Sequence, residues 1–272
     1  MNTRARGFTL IEMIVAITIS AIVVVFAALL IAAPVDAYEA NGRRALMVDQ
    51  TSTAWPLMQS DLRDALPNSV RVRRNGTLVA MELLSTIGYA RYLTPHGNTF
   101  DVAGTTRATF GDYPVGADFV NVHLSVNNSG EEAYTQTTSM TPRLLSVATA
   151  PLGAAGNATV QVSPAFPVIN WDSPRSRVYL VRGAVTYLCD ERLGTVTRYY
   201  GYPLAASQAA RDTAAELAGS FTTDVVARGV SACSFSVVPV SGQPQTVIVR
   251  LTTTRNNESV TLMHSAVLEN LP

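Results

Sequence analysis

The chain has 272 residues, a formal net charge of zero and 47% hydrophobic residues. Its twenty basic side chains are balanced by twenty acidic ones, so no excess of positive charge favours a nucleic-acid partner. Every basic residue is arginine, which excludes lysine-dependent chemistry. The length leaves room for one sizeable domain, or two small ones, beyond an N-terminal apolar segment.

That apolar segment runs from residue 8 to residue 33 and contains one ionisable side chain, Glu12. As a helix it would rise about 39 Å, enough to cross a hydrocarbon core of about 30 Å. A carboxylate within lipid costs about 2–3 kcal/mol or more unless it is paired. The nearest basic residues, Arg4 and Arg6, lie beyond Gly7. We therefore predict a membrane-spanning helix whose glutamate is paired by another chain or by a newly formed amine.

The string Gly7-Phe8-Thr9-Leu10-Ile11-Glu12, preceded by a short basic leader, resembles the class III signal of type IV pilins and type II secretion pseudopilins. The resemblance implies that a prepilin peptidase cuts between Gly7 and Phe8 and methylates the new amine of Phe8. It also implies that Glu12 pairs with the Phe8 amine of a neighbouring subunit as helices stack into a filament.

Two simpler interpretations remain open for this segment. In the first, it is a single-pass anchor in which Glu12 reaches the membrane interface. In the second, it is a secretory signal peptide cut near Ala33 or Ala37. The second is disfavoured because the apolar run exceeds the usual ~7–15 residues and Pro34 lies where cleavage would occur.

The flanking charges predict the orientation of the span. Arg4 and Arg6 precede it, whereas the first charged residues after it are Asp36 and Glu39. Since the positive end stays cytoplasmic, we expect the chain after Pro34 to be periplasmic.

The two cysteines, Cys189 and Cys233, fit an oxidising periplasm. A disulfide between them would close a loop of about 45 residues and stabilise the fold by roughly 4 kcal/mol. Two free thiols are the alternative. A metal site is not expected, because His96, His123 and His264 show no ligand spacing.

After the span, Pro34 is expected to interrupt the helix, but helical patterning resumes. Gly42 and Pro56 predict a kink or break within residues 41–56, and the helix should end before Pro67. Its apolar residues recur at intervals of three and four and predict one buried stripe: Ala54, Leu57, Met58, Leu62, Ala65 and Leu66.

The remaining chain predicts strands. Residues 69–74 and 77–84 flank Asn75-Gly76 and indicate a hairpin with a type I′ turn. The basic cluster Arg71, Arg73 and Arg74 is interpreted as the solvated face of that hairpin, with a contact to lipid head groups or a partner as the alternative. Residues 86–167 indicate a loop-rich insertion with candidate strands at 118–126, 143–147 and 158–162.

The distal part is expected to contain further strands, and the end of the chain, which carries Cys233, is expected to be a β-meander. Residues 177–189 indicate two short strands or one bent at Gly183, followed by a strand at 195–200. Residues 205–217 indicate a short helix or an ordered loop. Three further strands are predicted at 234–238, 246–253 and 259–267, the last two joined through Asn256-Asn257.

Four distal segments indicate which subgroup of pilin-like proteins the chain resembles: Val185–Asp190, Arg198–Pro203, Ala232–Phe235 and Leu268–Pro272. They are similar to minor pilins of the MSHA system, of the MshO type. The resemblance implies an α+β, pilin-like fold in which a long N-terminal helix packs on an antiparallel β-sheet head. The corresponding division is a leader at 1–7, a transmembrane helix at 8–33, an amphipathic helix at 34–67 and a periplasmic head at 68–272.

No catalytic motif is recognised, and we expect neither enzymatic activity nor a cofactor. A calcium loop built from Asp112, Asp118 and Glu131-Glu132 is a minor alternative, because some pseudopilins bind calcium. The two tryptophans, Trp55 and Trp171, are interpreted as packing or interface residues.

The resemblance implies a minor pilin of an MSHA-type type IV pilus that acts in pilus assembly. The implied partners are prepilin peptidase, other major and minor pilins through the N-terminal helix, and the inner-membrane assembly platform. The protein would reside in the inner membrane before it enters a pilus. The alternatives are a J-type minor pseudopilin of the type II secretion system and, from another class, a membrane-anchored periplasmic enzyme or binding protein.

Overall fold

The computed structural model describes residues 9–96, 99–103, 123–126, 128, 130, 132–135, 158–161, 176–217, 223–238 and 245–268. An N-terminal apolar helix is followed by antiparallel β-sheets, so the fold class is α+β as predicted. The chain divides into two compact units, Met1–Met47 and Val48–Pro272. The helices are α1 Leu10–Ser52, α2 Ala54–Arg63, α3 Glu132–Thr135 and α4 Ala214–Leu217, with a 3₁₀ turn at Gln208–Ala210.

Helix α1 continues through Pro34, so the interruption expected there is wrong. Proline lacks the N–H that would reach the carbonyl of Leu30, and this loss costs about 3 kcal/mol in a helix interior. The helical hydrogen bonds on either side hold the remaining turns, and the backbone stays helical.

The helix breaks instead at Thr53, within the window expected from Gly42 and Pro56. Pro56 has no N–H to donate to the carbonyl of Ser52, which interrupts the hydrogen-bond ladder at this point. The Thr53 hydroxyl lies 3.3 Å from the carbonyl of Gln50 and 3.3 Å from that of Val226. A polar side chain thus occupies the break and ties it to a strand.

Helix α2 buries Ala54, Met58 and Leu62, which are spaced four residues apart. Leu57, predicted to share this stripe, is 37% exposed, so that assignment is wrong. One turn further on, Ala65 and Leu66 are buried as predicted.

Within the described ranges, eight strands form the larger sheet, in the order β5-β3-β2-β6-β7-β8, with β1 paired to β2 and β4 paired to β6. Every pairing is antiparallel. The bounds are β1 Arg71–Asn75, β2 Leu78–His96, β3 Thr99–Ala103, β4 His123–Val126, β5 Ala158–Gln161, β6 Arg177–Asp190, β7 Thr195–Tyr200 and β8 Thr223–Arg228.

The predicted hairpin is present as β1 and β2, but its turn type differs from the prediction. Asn75 pairs with Leu78, so the two loop residues are Gly76 and Thr77. A type I′ turn requires a positive φ at both loop residues. Gly76 has φ +59°, but Thr77 is not among the residues with positive φ. Glycine at the first loop position is the type II′ pattern.

A second sheet of three strands has the order β11-β10-β9, with β9 Val230–Val238, β10 Thr246–Arg255 and β11 Glu258–Val267. A type I′ turn lies here, since Asn256 and Asn257 both have positive φ and Arg255 pairs with Glu258. The part of the head that the structure describes therefore contains two sheets, where the sequence predicted an antiparallel sheet without such a division.

Two apolar clusters lie on opposite faces of the larger sheet, because side chains alternate along β2 and β6. One contains Met81 and Tyr187 and includes residues of α2 and of the three-stranded sheet. The other contains Leu84 and Leu188 and includes Tyr134 of α3 and Leu217 of α4.

Several predicted features lie outside the described residues. They are the strand at 143–147, residues 118–122 of the strand expected at 118–126, Trp171, and the candidate calcium ligands Asp112, Asp118 and Glu131. Trp55 stacks on His264 of β11, with ring centroids 4.5 Å apart, which fits a packing role.

Candidate assembly site and the head that it carries

Glu12 lies in the first turn of α1 and is exposed. Thr9 precedes the helix, and its hydroxyl oxygen accepts a hydrogen bond of 3.4 Å from the Glu12 N–H. The Thr9 carbonyl accepts further bonds from the N–H groups of Glu12 and Met13. A threonine followed three residues later by glutamate is the capping-box arrangement, and the helix dipole favours a carboxylate at this end.

The first part of α1 is long and apolar enough to cross a membrane. The candidate span is Leu10–Ile31, with 22 residues and a mean hydropathy of 3.1. Its large apolar side chains are exposed, from Leu10 at 81% to Ile31 at 61%. A surface of this kind needs lipid or other helices to cover it.

A polar side chain within the span is satisfied by the helix itself. The hydroxyl of Thr18 lies 3.0 Å from the carbonyl of Ile14 and 2.9 Å from that of Val15. This internal bonding lowers the cost of placing a hydroxyl in lipid. Glu12 differs, because no group of opposite charge on its own helix can compensate its carboxylate in hydrocarbon.

The expected cleavage residues, Gly7 and Phe8, lie outside the described residues. Cleavage, methylation and the pairing of Glu12 with a neighbouring amine therefore remain predictions. The structure supplies the position of Glu12, within the first turn of an exposed apolar helix.

In the head, Cys189 of β6 and Cys233 of β9 form a disulfide, which links the larger sheet to the three-stranded one. Their Cα atoms are 6.6 Å apart, and both residues are buried. Of the two states left open by the sequence, the disulfide is the one observed.

An ion pair next to the disulfide strengthens the same junction. Arg74 donates two hydrogen bonds of 3.0 Å to the carboxylate of Glu191 and one of 2.9 Å to the carbonyl of Cys233. The Cys233 N–H in turn donates to Glu191 Oε1 at 3.2 Å. The Arg74 hydrogen bonds lower the pKa of Glu191 below its usual value.

Each arginine of the basic cluster in the first hairpin pairs with a carboxylate. Arg71 is buried, so the interpretation as a solvated face is wrong for that residue, whereas Arg73 and Arg74 are exposed as expected. Arg71 pairs with Glu82 at 2.8 Å and Arg73 with Asp212 at 2.5 Å. The Arg71–Glu82 pair is fully buried, and Arg71 also donates to the carbonyls of residues 205 and 206. Burial raises the pKa of Glu82, against the opposing effect of Arg71. These pairs hold the segment after β7 against the sheet.

A fourth ion pair attaches α2 to the larger sheet. Arg198 of β7 donates to both carboxylate oxygens of Asp61, and the hydroxyl of Tyr187 also donates to Asp61. Burial is the main cause of the raised pKa of Tyr187, and the adjacent carboxylate adds to it. This contact could not be predicted from sequence, because no local pattern joins residues 137 positions apart.

A cavity of about 290 Å³ opens on the larger sheet beside Arg198. Arg182, Ser85 and Tyr200 contribute the other polar groups of its lining, which contains no carboxylate, histidine or cysteine. Since Arg198 is already bonded to Asp61, this lining offers no nucleophile–base pair. Within the described part of the chain, no three His, Cys, Asp or Glu side chains are grouped to hold a metal ion.

Residues 2–28 match a family model described as the prokaryotic N-terminal methylation motif. The match includes Gly7, Phe8, Glu12 and most of the apolar span, and it supports a type IV pilin-like protein, either a pilin or a pseudopilin. It also implies processing by prepilin peptidase and, together with the apolar helix, anchoring in a membrane. No curated protein and no solved structure matches the chain.

Proposed function

We propose that this protein is a minor pilin of an MSHA-type type IV pilus, similar to MshO, that acts in pilus assembly or initiation and has a structural role. The observation that carries the proposal is the methylation motif at residues 2–28 on a helix whose apolar surface is exposed. Prepilin peptidase cleaves after Gly7 and methylates Phe8. Glu12 then pairs with the Phe8 amine of a neighbouring subunit.

The energetics of the span support the transfer from membrane to filament. Lipid covers the apolar side chains of Leu10–Ile31 while the protein waits in the inner membrane. Helices of other major and minor pilins cover the same surface in the filament. In the filament, the Phe8 amine supplies the positively charged partner that Glu12 lacks in lipid. Assembly therefore removes the cost of about 2–3 kcal/mol for an unpaired carboxylate in the membrane.

The head is proposed to be periplasmic. The disulfide between Cys189 and Cys233 supports this, since such bonds persist in oxidising compartments. Arg4 and Arg6, before the span, favour a cytoplasmic N-terminus. A bulky head of two sheets suits a position at the start of a filament better than one in its repeated body. The inner-membrane assembly platform is the partner that would incorporate it.

The distal segments support the MSHA-type assignment, and two of them contain the cysteines of the disulfide. The methylation motif supports a J-type pseudopilin of the type II secretion system equally well, because both kinds of protein carry it. Deletion of the gene separates the two. Loss of surface pili with normal secretion supports the pilus, and loss of secretion with normal pili overturns it in favour of the secretion system.

The first test is the intact mass and N-terminal residue of the protein from cells with and without prepilin peptidase. We expect a chain that begins at N-methylated Phe8 in the first case and retains Met1 in the second. The Gly7→Ala variant should remain uncleaved in both. A mature chain that begins at Met1 in peptidase-positive cells, or near Ala33, would overturn the proposal and return the head to the class of anchored periplasmic enzymes or binding proteins.

A further inference from the structure

The three-stranded sheet presents one open face. Side chains alternate along its strands, and those of one parity, such as Val247, Val249 and Leu251, are buried. The alternate side chains point outwards and are exposed or half-buried, and an irregularity in the β9–β10 pairing leaves both Ser231 and Ala232 exposed. We call this surface the hydroxyl face, and it consists of Ser231, Ala232, Ser234, Ser236, Val238, Thr246, Ile248, Arg250, Thr252, Thr254, Ser259, Thr261, Met263, Ser265 and Val267.

Hydrogen bonds between its own side chains order the hydroxyl face. The hydroxyls of Thr252 and Thr261 lie 2.9 Å apart across β10 and β11, and those of Ser231 and Thr254 are also 2.9 Å apart. Ser231 lies 3.1 Å from the carbonyl of Thr252 as well. Side chains fixed in this way lose little conformational entropy when a partner covers them.

Arg250 is the one charged residue of the hydroxyl face and lies at its centre. It is on the middle strand, β10, opposite Ser234 on one side and Met263 on the other. Arg250 is exposed, and no carboxylate pairs with it in the part of the chain that the structure describes. Designed protein surfaces carry about 25–35% charged residues of both signs, so a face with one unpaired arginine among fifteen residues is poor in charge by comparison.

We propose that the hydroxyl face is a docking surface for a partner protein that presents one carboxylate opposite Arg250 within an otherwise uncharged surface. Arginine and methionine are enriched at interfaces whereas serine and alanine are depleted, so recognition of this face would centre on Arg250 and Met263, which lie opposite each other. A central arginine surrounded by neutral contacts that exclude water is the usual arrangement of a binding hot spot. The unpaired guanidinium determines the charge that its partner must carry.

The size of the hydroxyl face fits this role. Three strands spaced about 4.8 Å apart and about 9 residues long give a footprint of roughly 450 Å². Specific but transient complexes cover less than about 600 Å² on each partner.

A second copy of the chain fits poorly. A two-fold axis through the centre of the hydroxyl face would place Arg250 against Arg250, and like charges brought together in an interface are unfavourable. The partner is therefore a different surface with an acidic centre.

The test uses the full-length protein in its native membrane, with a photoreactive benzoylphenylalanine at Ser265 on the hydroxyl face. We expect a discrete protein adduct on illumination, with the cross-linked peptide of the partner containing Asp or Glu. Arg250→Glu should reduce the adduct at least about tenfold, whereas Arg250→Lys should retain most of it. The same photoreactive residue at Ala215, an exposed position of α4, should give no such adduct, because α4 packs on the face of the larger sheet opposite the three-stranded sheet.

Formation of the Cys189–Cys233 disulfide serves as the control for correct folding of each variant. It is detected as a difference in gel mobility between reduced and oxidised samples. The matched charge reversal Arg228→Glu, on an exposed residue of β8, should leave the adduct unchanged. A lipid adduct, an adduct between two copies of this chain, no adduct, or an adduct equally strong in Arg250→Glu would each overturn the proposal. None of these readings depends on the cleavage of Gly7–Phe8.

Discussion

Arg198 holds Asp61 in a forked ion pair, with 2.6 Å from Nε to Oδ2 and 3.0 Å from Nη2 to Oδ1. The arginine belongs to β7 and the aspartate to α2, so the pair attaches the helix to the sheet. Both side chains are largely shielded from solvent, with 15% and 13% of their surfaces exposed. Removing one partner of such a pair lowers the free energy of unfolding by more than the intact pair contributes to it, because the remaining charge is left without compensation.

Asp61→Asn should therefore lower the free energy of unfolding of the head by about 2–3 kcal/mol. The amide cannot compensate the guanidinium of Arg198, and it replaces the carboxylate that accepts from Tyr187. The matched control is Asp224→Asn, because Asp224 lies 3.9 Å from the same arginine but is 50% exposed. The control should change stability by less than about 0.5 kcal/mol. Chemical unfolding of detergent-solubilised protein measures both, and equal effects would contradict this account.

Loss of the disulfide should lower the free energy of unfolding more than loss of the Asp61–Arg198 pair. Cys189 and Cys233 are separated by 44 positions, so replacing both with alanine should cost roughly 4 kcal/mol through the added freedom of the unfolded chain. Reduction of the wild-type protein should produce the same loss, whereas the double variant should not respond to reductant. Unfolding curves with and without reductant measure this. A wild-type curve that reductant does not shift would mean that the bond is not formed.

Some of this structure was predictable because its causes are local. A continuous apolar run is sufficient to predict a long helix, and the dipeptide Asn256-Asn257 tolerates the positive φ values of a tight turn. The compartment implied by the basic leader and the apolar span favoured a bond between Cys189 and Cys233.

The contacts that hold the head together were not predictable in this way. Arg73 and Asp212 are 139 positions apart, and no periodicity relates them. Strand β8 was missed because it is short and carries a charge near each end, which weakens its alternation. The division into two sheets depends on which strand edges pair, and strand pattern alone does not determine pairing.

Acid should weaken the contacts of Glu191 with Arg74 and Cys233, which join the two sheets. The pKa of Glu191 is lowered by its hydrogen bonds from Arg74. Its ionised form therefore contributes stability that is fully present above the ordinary glutamate pKa of the unfolded chain, about 4.3. That contribution is lost as the pH falls through the lower pKa of the folded state. We expect a loss of about 1 kcal/mol, because Arg74 is half exposed.

The measurement is the free energy of unfolding between pH 6 and pH 3 for wild-type protein and Glu191→Gln. The difference between the two curves isolates Glu191 from other carboxyl groups such as Glu82, whose pKa is raised by burial. The curve for Glu191→Gln should be flatter below pH 5. Parallel curves would show that Arg74 does not stabilise the ionised carboxylate.

Gly229, between β8 and β9, has a positive φ that an added methyl group would strain. Its φ is +75°, and a Cβ there would lie 3.0 Å from Oε1 at the end of the exposed Gln50 side chain, which can move aside. Gly229→Ala should therefore cost about 1–2 kcal/mol, mainly through the backbone conformation. Gly76→Ala is the matched control, because Gly76 has φ +59° but open space around it, and it should cost about 1 kcal/mol. If the Gln50 contact contributes, Gln50→Ala should recover the difference between the two in thermal unfolding.

The remaining prediction separates two roles of Glu12, as a capping residue of its own helix and as the charged partner of a neighbouring amine. Glu12→Gln retains a side chain that serves in a capping box but removes the charge. Thr9→Ala removes the capping hydroxyl but leaves the carboxylate. If pairing with the Phe8 amine drives assembly, Glu12→Gln should reduce incorporation into filaments at least about tenfold, while Thr9→Ala stays near wild type.

Immunoblots of sheared filaments and of membranes measure that incorporation, and the mature N-terminus reports processing. We expect all variants to be cleaved after Gly7, inserted in the membrane and oxidised at Cys189–Cys233, so that only the filament fraction distinguishes them. The amide is also cheaper to hold in lipid than the carboxylate, which removes a reason to leave the membrane. Wild-type incorporation of Glu12→Gln, with a deficit in Thr9→Ala, would instead assign Glu12 to capping.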